Sequence, residues 1–238
     1  MATTVSLATS DGDMALYDVE PESPPLGAVI VLQEAFGVND HIEDVTRRLA
    51  QAGYRAVAPH LFHRSGDPAL DYGNFEKIMP HMQALTEAGL LEDLDATLAH
   101  LAGAGFAAPT VGVVGFCMGG SVVFLAAARR ALGAAVTFYG GGVAEGRFGM
   151  SPLVEMAPGL QTPWLGLFGD QDQGIPVDQV EALRSAAATA TVPTEIVRYP
   201  EAGHGFHCDA RPDSYHQPSA EDGWRRTLDW FGRHIAAP

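Results

Sequence analysis

Short apolar runs alternate along the chain with longer segments in which apolar residues recur every three or four positions. The short runs have the length and β-branched content of buried strands, and they lie at residues 28–32, 54–58, 111–114, 134–139, 164–168 and 194–199. The periodic segments predict helices over residues 41–52, 75–88, 90–104, 121–131, 177–190 and 221–235. Residues 5–7 and 14–19 flank a Ser-Asp-Gly-Asp turn signal and predict an antiparallel hairpin, whereas residues 60–74 show no clear period.

This alternation determines the expected fold class. Strands that alternate with helices form parallel βαβ units, so we predict an α/β protein with a mostly parallel central sheet and helices on both faces. The chain contains no internal repeat, low-complexity segment or linker that would divide it. Because α/β folds of this length often form one domain, we expect a single domain over residues 1–238.

The run at residues 111–114 leads into a segment with a distinctive pattern. Gly115, Phe116, Cys117, Met118 and Gly119 follow it, and an Ala-rich helix comes next. Strand, tight turn and helix with a reactive side chain at the apex form a nucleophile elbow, here with cysteine where most such enzymes carry serine. Glycines flank the apex because the turn is crowded. A free cysteine alone is more often buried and inert, but this setting indicates a presented thiol in a hydrolase.

Polar side chains follow other predicted strands as well. Glu34 follows the first parallel strand, Asp170 and Asp172 follow the next-to-last, and His204 follows the last. Ligands of open α/β sheets bind outside the carboxyl ends of the strands. Nucleophile, acid and histidine also occur in the chain order of α/β-hydrolases. Convergence of these strand ends with Cys117 therefore predicts one catalytic site.

Each residue type at this site has a chemical role. His204 can take the thiol proton, and a carboxylate can hold its imidazole in the required tautomer. We prefer Asp172 for that carboxylate, since it starts a turn that can aim its side chain over the sheet, and we expect a structural role for Asp170. An oxyanion hole needs two backbone N–H groups, which Ala35 and Met118 would supply.

Composition narrows the function classes. The 14 basic and 29 acidic residues give a net charge of −15, which argues against nucleic acid as a partner. We find no signal-peptide pattern and no apolar run of the roughly 18–20 residues that span a bilayer, so we expect no membrane association and a cytoplasmic location. The two cysteines are too few for a disulfide scaffold. Neither an HExxH motif nor a Cys/His cluster is present, so we expect no metal site.

Several segments match a known family together, in order and in spacing. They are residues 33–39 (Gln-Glu-Ala-Phe-Gly-Val-Asn), 115–120 (Gly-Phe-Cys-Met-Gly-Gly), 138–140 (Phe-Tyr-Gly), 169–172 (Gly-Asp-Gln-Asp) with 175–176 (Ile-Pro), and 201–206 (Glu-Ala-Gly-His-Gly-Phe). Over essentially the whole chain, the sequence resembles the dienelactone hydrolase family, the carboxymethylenebutenolidases. The resemblance implies a cytoplasmic, single-domain α/β-hydrolase without a cofactor, and we expect a monomer or small homo-oligomer.

The resemblance also implies a reaction and assigns residues to it. It implies a triad of Cys117, His204 and Asp172 and the opening of an enol-lactone in the degradation of aromatic compounds. The thiolate would attack the lactone carbonyl, and hydrolysis of the resulting thioester would complete the turnover. In this family the glutamate that corresponds to Glu34 contacts the resting thiol, and substrate binding displaces it and helps to generate the thiolate.

The chain departs from the family where the substrate carboxylate binds. The member that defines the activity uses two arginines, and at one of these positions this chain has Cys208. The second lies in a helical region, and residues 66–94 here contain no arginine and only Lys77. The resemblance thus implies an altered or missing anion clamp, for which Lys77, His81 or His207 are open candidates. Arg64 matches a structural position of the family.

Alternative functions follow from these observations. The missing arginines favour an esterase of the same fold that acts on a neutral ester or lactone. A third hypothesis is a redox sensor or binding protein that uses Cys117 and Cys208, because exposed thiols of low pKa are oxidised selectively. We rank it last, since a sensor does not require Glu34, Asp172 and His204.

Overall fold

A central sheet organises the structure, a computed structural model that describes residues 1–68, 70–73 and 75–238. Its strands are β1 (Ala2–Thr9), β2 (Gly12–Val19), β3 (Ala28–Leu32), β4 (Arg55–Pro59), β5 (Val111–Phe116), β6 (Ala134–Phe138), β7 (Trp164–Gly169) and β8 (Thr194–Tyr199). Within the described residues these eight strands form one sheet in the order β1-β2-β4-β3-β5-β6-β7-β8.

The sheet is mostly parallel, as predicted. β1 pairs with β2 and β2 with β4 in antiparallel register, and every neighbouring pair from β4 to β8 is parallel. The predicted opening hairpin is therefore confirmed. β3, β5, β6 and β7 are buried along their whole length. Continuous apolar runs, rather than alternating ones, are typical of parallel strands covered on both faces.

The helices cover both faces of the sheet, which confirms the predicted fold class. They are α1 (Asp40–Gln51), α2 (Phe75–Gln83), α3 (Glu87–Gly103), α4 (Met118–Arg129), the single turn α5 (Leu153–Met156), α6 (Val177–Ala187) and α7 (Gln217–His234). The pattern did not predict α5. α4 begins at Met118 rather than at residue 121, and α7 begins at Gln217 rather than at residue 221.

Local chemistry explains where the helices begin. The side chain of Asn39 accepts a hydrogen bond from the N–H of Ile42 and caps α1. The hydroxyl of Thr86 accepts from the N–H of Gly89, so α3 begins at Glu87, before the glycine that the sequence placed at the helix boundary. A side-chain cap thus outweighs a single glycine inside the first turn.

The chain between β4 and α2 carries a short 3₁₀ turn at His63–Ser65. The irregular stretch predicted for residues 60–74 includes positions 69 and 74, which lie outside the described residues. Throughout the part of the chain that the structure describes, the helices are too short or too polar to cross a bilayer.

Candidate active site

The predicted elbow is present at the carboxyl end of β5. Cys117 has φ 54° and ψ −114° and directly precedes α4. A left-handed conformation is unfavourable for a residue with a side chain, by about 1–3 kcal/mol, and it persists where the surroundings impose it. Here the Cys117 N–H donates to the carbonyl of Phe138 at 3.1 Å. The turn leaves the thiol partly exposed at the end of the sheet.

Two glycines allow this turn to form. A methyl group on Gly115 would overlap the carbonyl oxygen of Gly119. A methyl group on Gly119 would overlap the carbonyl oxygen of Leu32 and lie 2.5 Å from that of Gln33. Such contacts are too close for any side chain, so the first turn of α4 lies directly on the end of β3. The ends of β5 and β3, which precede Cys117 and Glu34, therefore lie close together.

The predicted acid and histidine lie together. Nδ1 of His204 is 2.6 Å from Oδ2 of Asp172, whose other oxygen accepts from the N–H of Gly174 at 2.8 Å. The Asp172 side chain is buried, whereas His204 is 37% exposed. Gly169 at the end of β7 touches the backbone of Ala202, and this contact joins the two loops that carry the pair.

The position of His204 favours its protonated form. Burial by itself would lower the pKa of His204, but the charge of Cys117 and the hydrogen bond to Asp172 outweigh burial and raise that pKa to about 10. A raised pKa means that the imidazole keeps its proton at neutral pH when it faces a thiolate. The arrangement can therefore hold a thiolate–imidazolium pair, the reactive form of a cysteine nucleophile.

Asp170, the other aspartate after β7, has a different partner. Both of its oxygens accept from the guanidinium of Arg198 at 2.7 Å. Arg198 lies on β8, so this pair links the carboxyl ends of two neighbouring strands. The contacts agree with the structural role expected for Asp170 and leave Asp172 as the partner of His204.

The two predicted oxyanion donors come from neighbouring strand ends. Leu32 of β3 is paired with Gly115 of β5, and Ala35 and Met118 each lie three residues further along. Met118 is the first residue of α4, so its N–H has no acceptor within the helix. Ala35 lies in the buried turn after β3. The register thus brings both residues to the same end of the sheet as Cys117.

Glu34 is buried near the residues of the predicted triad. It is 1% exposed, and Oε1 accepts from the hydroxyl of Tyr139 at 3.5 Å. Oε2 has no hydrogen-bond partner among the described residues. Burial raises the pKa of Glu34, although the nearby charges of His41, Arg211 and His204 oppose that rise. The glutamate therefore takes up a proton more readily than an exposed one does.

Tyr139 is a site residue that the sequence reasoning missed as a functional group. It directly follows β6 with φ 39°, and its ring lies 5.1 Å from that of His204. Its hydroxyl reaches Glu34, so it connects the histidine with the buried carboxyl. The signal was available, because Tyr139 is the last residue of the predicted strand at 134–139 and so lies at the same sheet edge as Glu34 and Cys117.

Arg211 is the second residue that was missed. Its guanidinium carbon lies 5.4 Å from the ring centroid of Phe36 and 5.5 Å from that of Tyr72. Its positive charge acts on Glu34 and on Cys208 and shifts their pKa downward against the effect of burial. A cation is therefore present at the site despite the absence of arginine at residues 66–94.

Lys77, His81 and His207, the candidates for binding a substrate carboxylate, lie in three different surroundings. His207 is 3% exposed, and burial together with His41 lowers its pKa to about 3, so it is neutral at pH 7. Nδ1 of His81 lies 2.8 Å from the hydroxyl oxygen of Ser65. Lys77 is exposed on α2. Arg211, which was not among these candidates, is an arginine whose charge reaches Glu34.

Arg64 pairs with a buried carboxylate, and Cys208 is itself buried. Arg64 donates to both oxygens of the buried Asp93, at 2.9 and 2.8 Å, as expected of a structural arginine. Cys208 is fully buried, and burial raises the pKa of its thiol to about 12. A thiol that is protonated and buried is a poor redox partner for Cys117.

The chain is similar to known proteins over nearly its whole length. A model of the dienelactone hydrolase family matches residues 14–235. A Yersinia pestis protein provisionally named carboxymethylenebutenolidase is 42% identical over 231 residues, which are 94% of this chain and 86% of that protein. A carboxymethylenebutenolidase of Rhodococcus opacus is 30% identical over 210 residues, 87% of this chain and 81% of that one.

A solved structure shows the same architecture. The crystal structure of a provisionally named dienelactone hydrolase from Klebsiella pneumoniae subsp. pneumoniae matches with a TM-score of 0.90 at 42% identity. The match covers 98% of this chain and 99% of that one. Together with the strand order, it confirms the expected α/β-hydrolase fold.

Proposed function

The chain belongs to the dienelactone hydrolase family of ester-bond hydrolases, and on that premise we propose that it opens a carboxylated enol-lactone with Cys117 as nucleophile. The observation that carries the proposal is the 2.6 Å contact between Asp172 and His204 at the sheet end where Cys117 occupies its strained turn. The named activity of the Rhodococcus opacus relative supports the same reaction class.

Acylation begins with the thiolate–imidazolium pair. The sulfur of Cys117 forms a bond to the lactone carbonyl carbon, and the carbonyl electron pair moves to the oxygen. The N–H groups of Ala35 and Met118 stabilise that oxyanion. The ring C–O bond then breaks, and the leaving enolate takes a proton from His204. A thioester on Cys117 and a neutral His204 remain.

Deacylation restores the enzyme. Neutral His204 takes a proton from water as the water oxygen attacks the thioester carbonyl. The C–S bond breaks, the thiolate leaves, and the acyl group is released as a carboxylic acid. Asp172 holds the imidazole in one orientation through both steps. Because an enolate is a good leaving group, a thiolate is sufficient for the first step.

We assign Glu34 an electrostatic role in the resting site. Its raised pKa favours the protonated form, and a proton on Glu34 removes a negative charge that would oppose thiolate formation. Tyr139 holds one oxygen of this carboxyl. Substrate that displaces the Glu34 side chain would then meet a thiolate already paired with His204.

Arg211 supports a carboxylated substrate rather than a neutral one. Its guanidinium is held over Phe36 and Tyr72, and its charge reaches Glu34 in the centre of the site. A planar guanidinium matches a carboxylate with two parallel hydrogen bonds. We therefore propose that Arg211 binds the substrate carboxylate, in place of the arginines that the family's defining member uses.

The nucleophile is tested with an activated ester and mass spectrometry. We expect an acyl adduct on Cys117 in the wild type, no adduct in Cys117→Ala, and a fall in kcat/KM of at least about 1,000-fold in that variant. Cys208 in the same sample is the internal control, because its buried thiol should stay unmodified. Full activity of Cys117→Ala, or an adduct elsewhere, would contradict the proposed mechanism.

The substrate class is tested with Arg211→Met. Loss of hydrogen bonds to a charged group is worth about 1.5–3 kcal/mol, which corresponds to about 10- to 100-fold in kcat/KM for a carboxylated dienelactone. The rate on a neutral activated ester should stay within about twofold, since that substrate has no carboxylate. Equal losses on both substrates would exclude the carboxylate role of Arg211, and a wild-type preference for the neutral ester would favour an esterase.

A further inference from the structure

Three buried side chains, one of them Glu34 of the candidate active site, bring metal-ligating atoms together. Glu34 follows β3, His41 lies in the first turn of α1, and Cys208 lies four residues after His204. One oxygen, nitrogen or sulfur donor atom from each lies within 4.8 Å of those of the other two. The three residues are far apart in the chain, so only the fold assembles this group.

Two of these side chains have donor atoms without a partner. Among the described residues, neither Oε2 of Glu34 nor Nε2 of His41 has a hydrogen-bond partner, and both atoms are buried. Buried polar atoms are almost always paired, so an unpaired one needs a specific explanation. Two such atoms in one small cluster indicate that something binds between them.

The second nitrogen of His41 shows how the ring is oriented. Nδ1 lies 3.3 Å from Oδ1 of Asp209. When Nδ1, the nitrogen that faces this carboxylate, carries the ring proton, the lone pair of Nε2 lies on the opposite side. This is the arrangement of a metal-binding histidine supported by an outer carboxylate. In the neutral ring, Nε2 is then a buried electron-pair donor that has no hydrogen-bond partner among the described residues.

We propose that Glu34, His41 and Cys208 form a binding site for one transition-metal dication, with Zn²⁺ as the best match. A carboxylate, an imidazole and a thiolate are the three ligand types that zinc takes in proteins. Zinc bonds of about 2.0–2.3 Å in a tetrahedron place the ligand atoms roughly 3.3–3.7 Å apart. The side chains would have to converge by about 1 Å from their present separation.

Charge at the site is consistent with a dication. On binding, Cys208 and the protonated Glu34 each release a proton to solvent, and the resulting thiolate and carboxylate balance the two positive charges. The Tyr72 hydroxyl, which accepts from the Cys208 thiol at 3.6 Å, can then donate to the thiolate. Arg211 acts against a cation, because its own charge already acts on Glu34.

Cobalt is the probe, because a bond from thiolate sulfur to Co²⁺ gives a charge-transfer band that a site without sulfur lacks. We expect the full-length wild type to bind one Co²⁺ with such a band, and Zn²⁺ to abolish it by displacement. The catalytic thiol is the obvious competitor. Cys117→Ser should therefore keep the band, and Cys208→Ser should lose it while circular dichroism shows that the variant is folded.

Asp209, the carboxylate beside His41, and Arg211 provide tests that do not remove a metal ligand. Asp209→Asn should weaken Co²⁺ binding about 10- to 100-fold, as loss of such support does in other metal sites. Arg211→Met should tighten Co²⁺ binding, because a competing positive charge is removed.

His41→Ala removes a second proposed ligand and should abolish Co²⁺ binding. It keeps the test decisive if Cys208→Ser does not fold.

Two results would overturn the metal site. One is no sulfur-to-cobalt band in the wild type, and the other is a band that survives in Cys208→Ser but is lost in Cys117→Ser. Neither result depends on turnover, since Cys117→Ser is inactive under the proposed function and is still expected to bind cobalt. Failure of the hydrolase mechanism and failure of the metal site are therefore distinguishable.

Discussion

His204 lies between a carboxylate and a thiol, and this position controls the pH range over which it stays protonated. Its pKa is raised from 6.5 to about 10 by Cys117 and Asp172, against the effect of burial. The favourable interaction is therefore fully present below the unfolded-state pKa of about 6.5 and is lost as the pH rises through about 10. In the proposed mechanism, acylation needs the imidazolium as the acid that protonates the leaving group, so loss of this proton should slow the reaction.

The first prediction concerns the pH dependence of kcat/KM. For an activated ester, we expect kcat/KM to fall as the pH rises through about 10, because the imidazolium loses its proton there. Asp172→Asn removes one cause of the raised pKa, so the fall should begin at a lower pH and kcat/KM should drop about 100- to 10,000-fold. Stopped-flow acylation rates across the pH range measure both effects.

Asp170→Asn is the matched control for this prediction. It changes the same residue type two positions away, where the carboxylate pairs with Arg198 instead of His204. We expect its pH profile to match that of the wild type. If the two variants shifted the profile equally, the assignment of Asp172 as the partner of His204 would be wrong.

At the scale of elements, the site depends on how closely α4 approaches β3. Gly119 in the first turn of α4 contacts the carbonyl groups of Leu32 and Gln33 at the end of β3. This contact sets the distance between the turn that carries Ala35 and the N-terminus that carries Met118. The proposed oxyanion hole is therefore a property of helix–strand packing and of the glycine that permits it.

The second prediction is that Gly119→Ala disrupts both stability and activity. A methyl group at this position overlaps backbone rather than a side chain that could move, so we expect a loss of about 3 kcal/mol in the free energy of unfolding. The displaced helix N-terminus should also lower kcat. Urea denaturation and steady-state kinetics measure the two effects.

Gly232→Ala provides the comparison, since it is also a glycine in a helix. Gly232 lies in α7, and a methyl group there would meet no atom of the described chain within 4 Å. Alanine favours the helix, so this variant should be as stable as the wild type or more stable by about 0.5–1 kcal/mol. Similar losses of stability in both variants would show that crowding against β3 is not what destabilises Gly119→Ala.

At the scale of the whole molecule, one buried carboxylate joins the opening hairpin to the rest of the sheet. Asp18 on β2 accepts from Nε and Nη2 of Arg55 on β4 at 3.1 and 2.7 Å, and lies 2.8 Å from Nε2 of His100 on α3. Burial would raise the pKa of Asp18, but these hydrogen bonds outweigh burial and lower it. The ionised form of Asp18 thus stabilises the contact between hairpin, sheet and helix.

The third prediction concerns how the stability contributed by Asp18 depends on pH. Asp18→Asn should lower the free energy of unfolding at pH 7 by about 2 kcal/mol, because hydrogen bonds to a charged group are lost. A lowered pKa gives stability above the unfolded value of 3.8 that disappears as the pH falls through the folded value. The difference in the free energy of unfolding between wild type and variant should therefore shrink as the pH falls below about 4.

Asp13→Asn controls for the loss of one negative charge from the same strand, where Asp13 is exposed. Its effect on the free energy of unfolding should stay within about 0.5 kcal/mol. Urea titrations of wild type and both variants at several pH values make the comparison. A pH-independent effect of Asp18→Asn would show that packing, not charge, causes the loss.

Much of the fold follows from local patterns. The apolar run at residues 28–32 coincides with β3, because a strand buried on both faces gives a continuous apolar signal. The partly buried β8 also has its predicted bounds, residues 194–199. The helix boundaries at residues 87 and 217 differ from the predicted ones, since a cap or a proline in the first turn acts through hydrogen bonds that periodicity does not register.

The sequence by itself determined the α/β class and the family. It also placed Cys117, Asp172 and His204 at strand ends, since βαβ units deliver such residues to one edge of a sheet. It did not reveal Arg211 or Tyr139 as parts of the site. Their contribution depends on charge and contact across chain segments that are distant in sequence.

Only the tertiary structure decided what surrounds the reactive groups. Burial sets the pKa of Glu34 and of Cys208, and burial is a property of the assembled core. The cluster of Glu34, His41 and Cys208 likewise exists only when the ends of β3 and β8 are brought together with α1. A residue's chemistry depends on its neighbours' fields and on the exclusion of water, and a linear pattern contains neither.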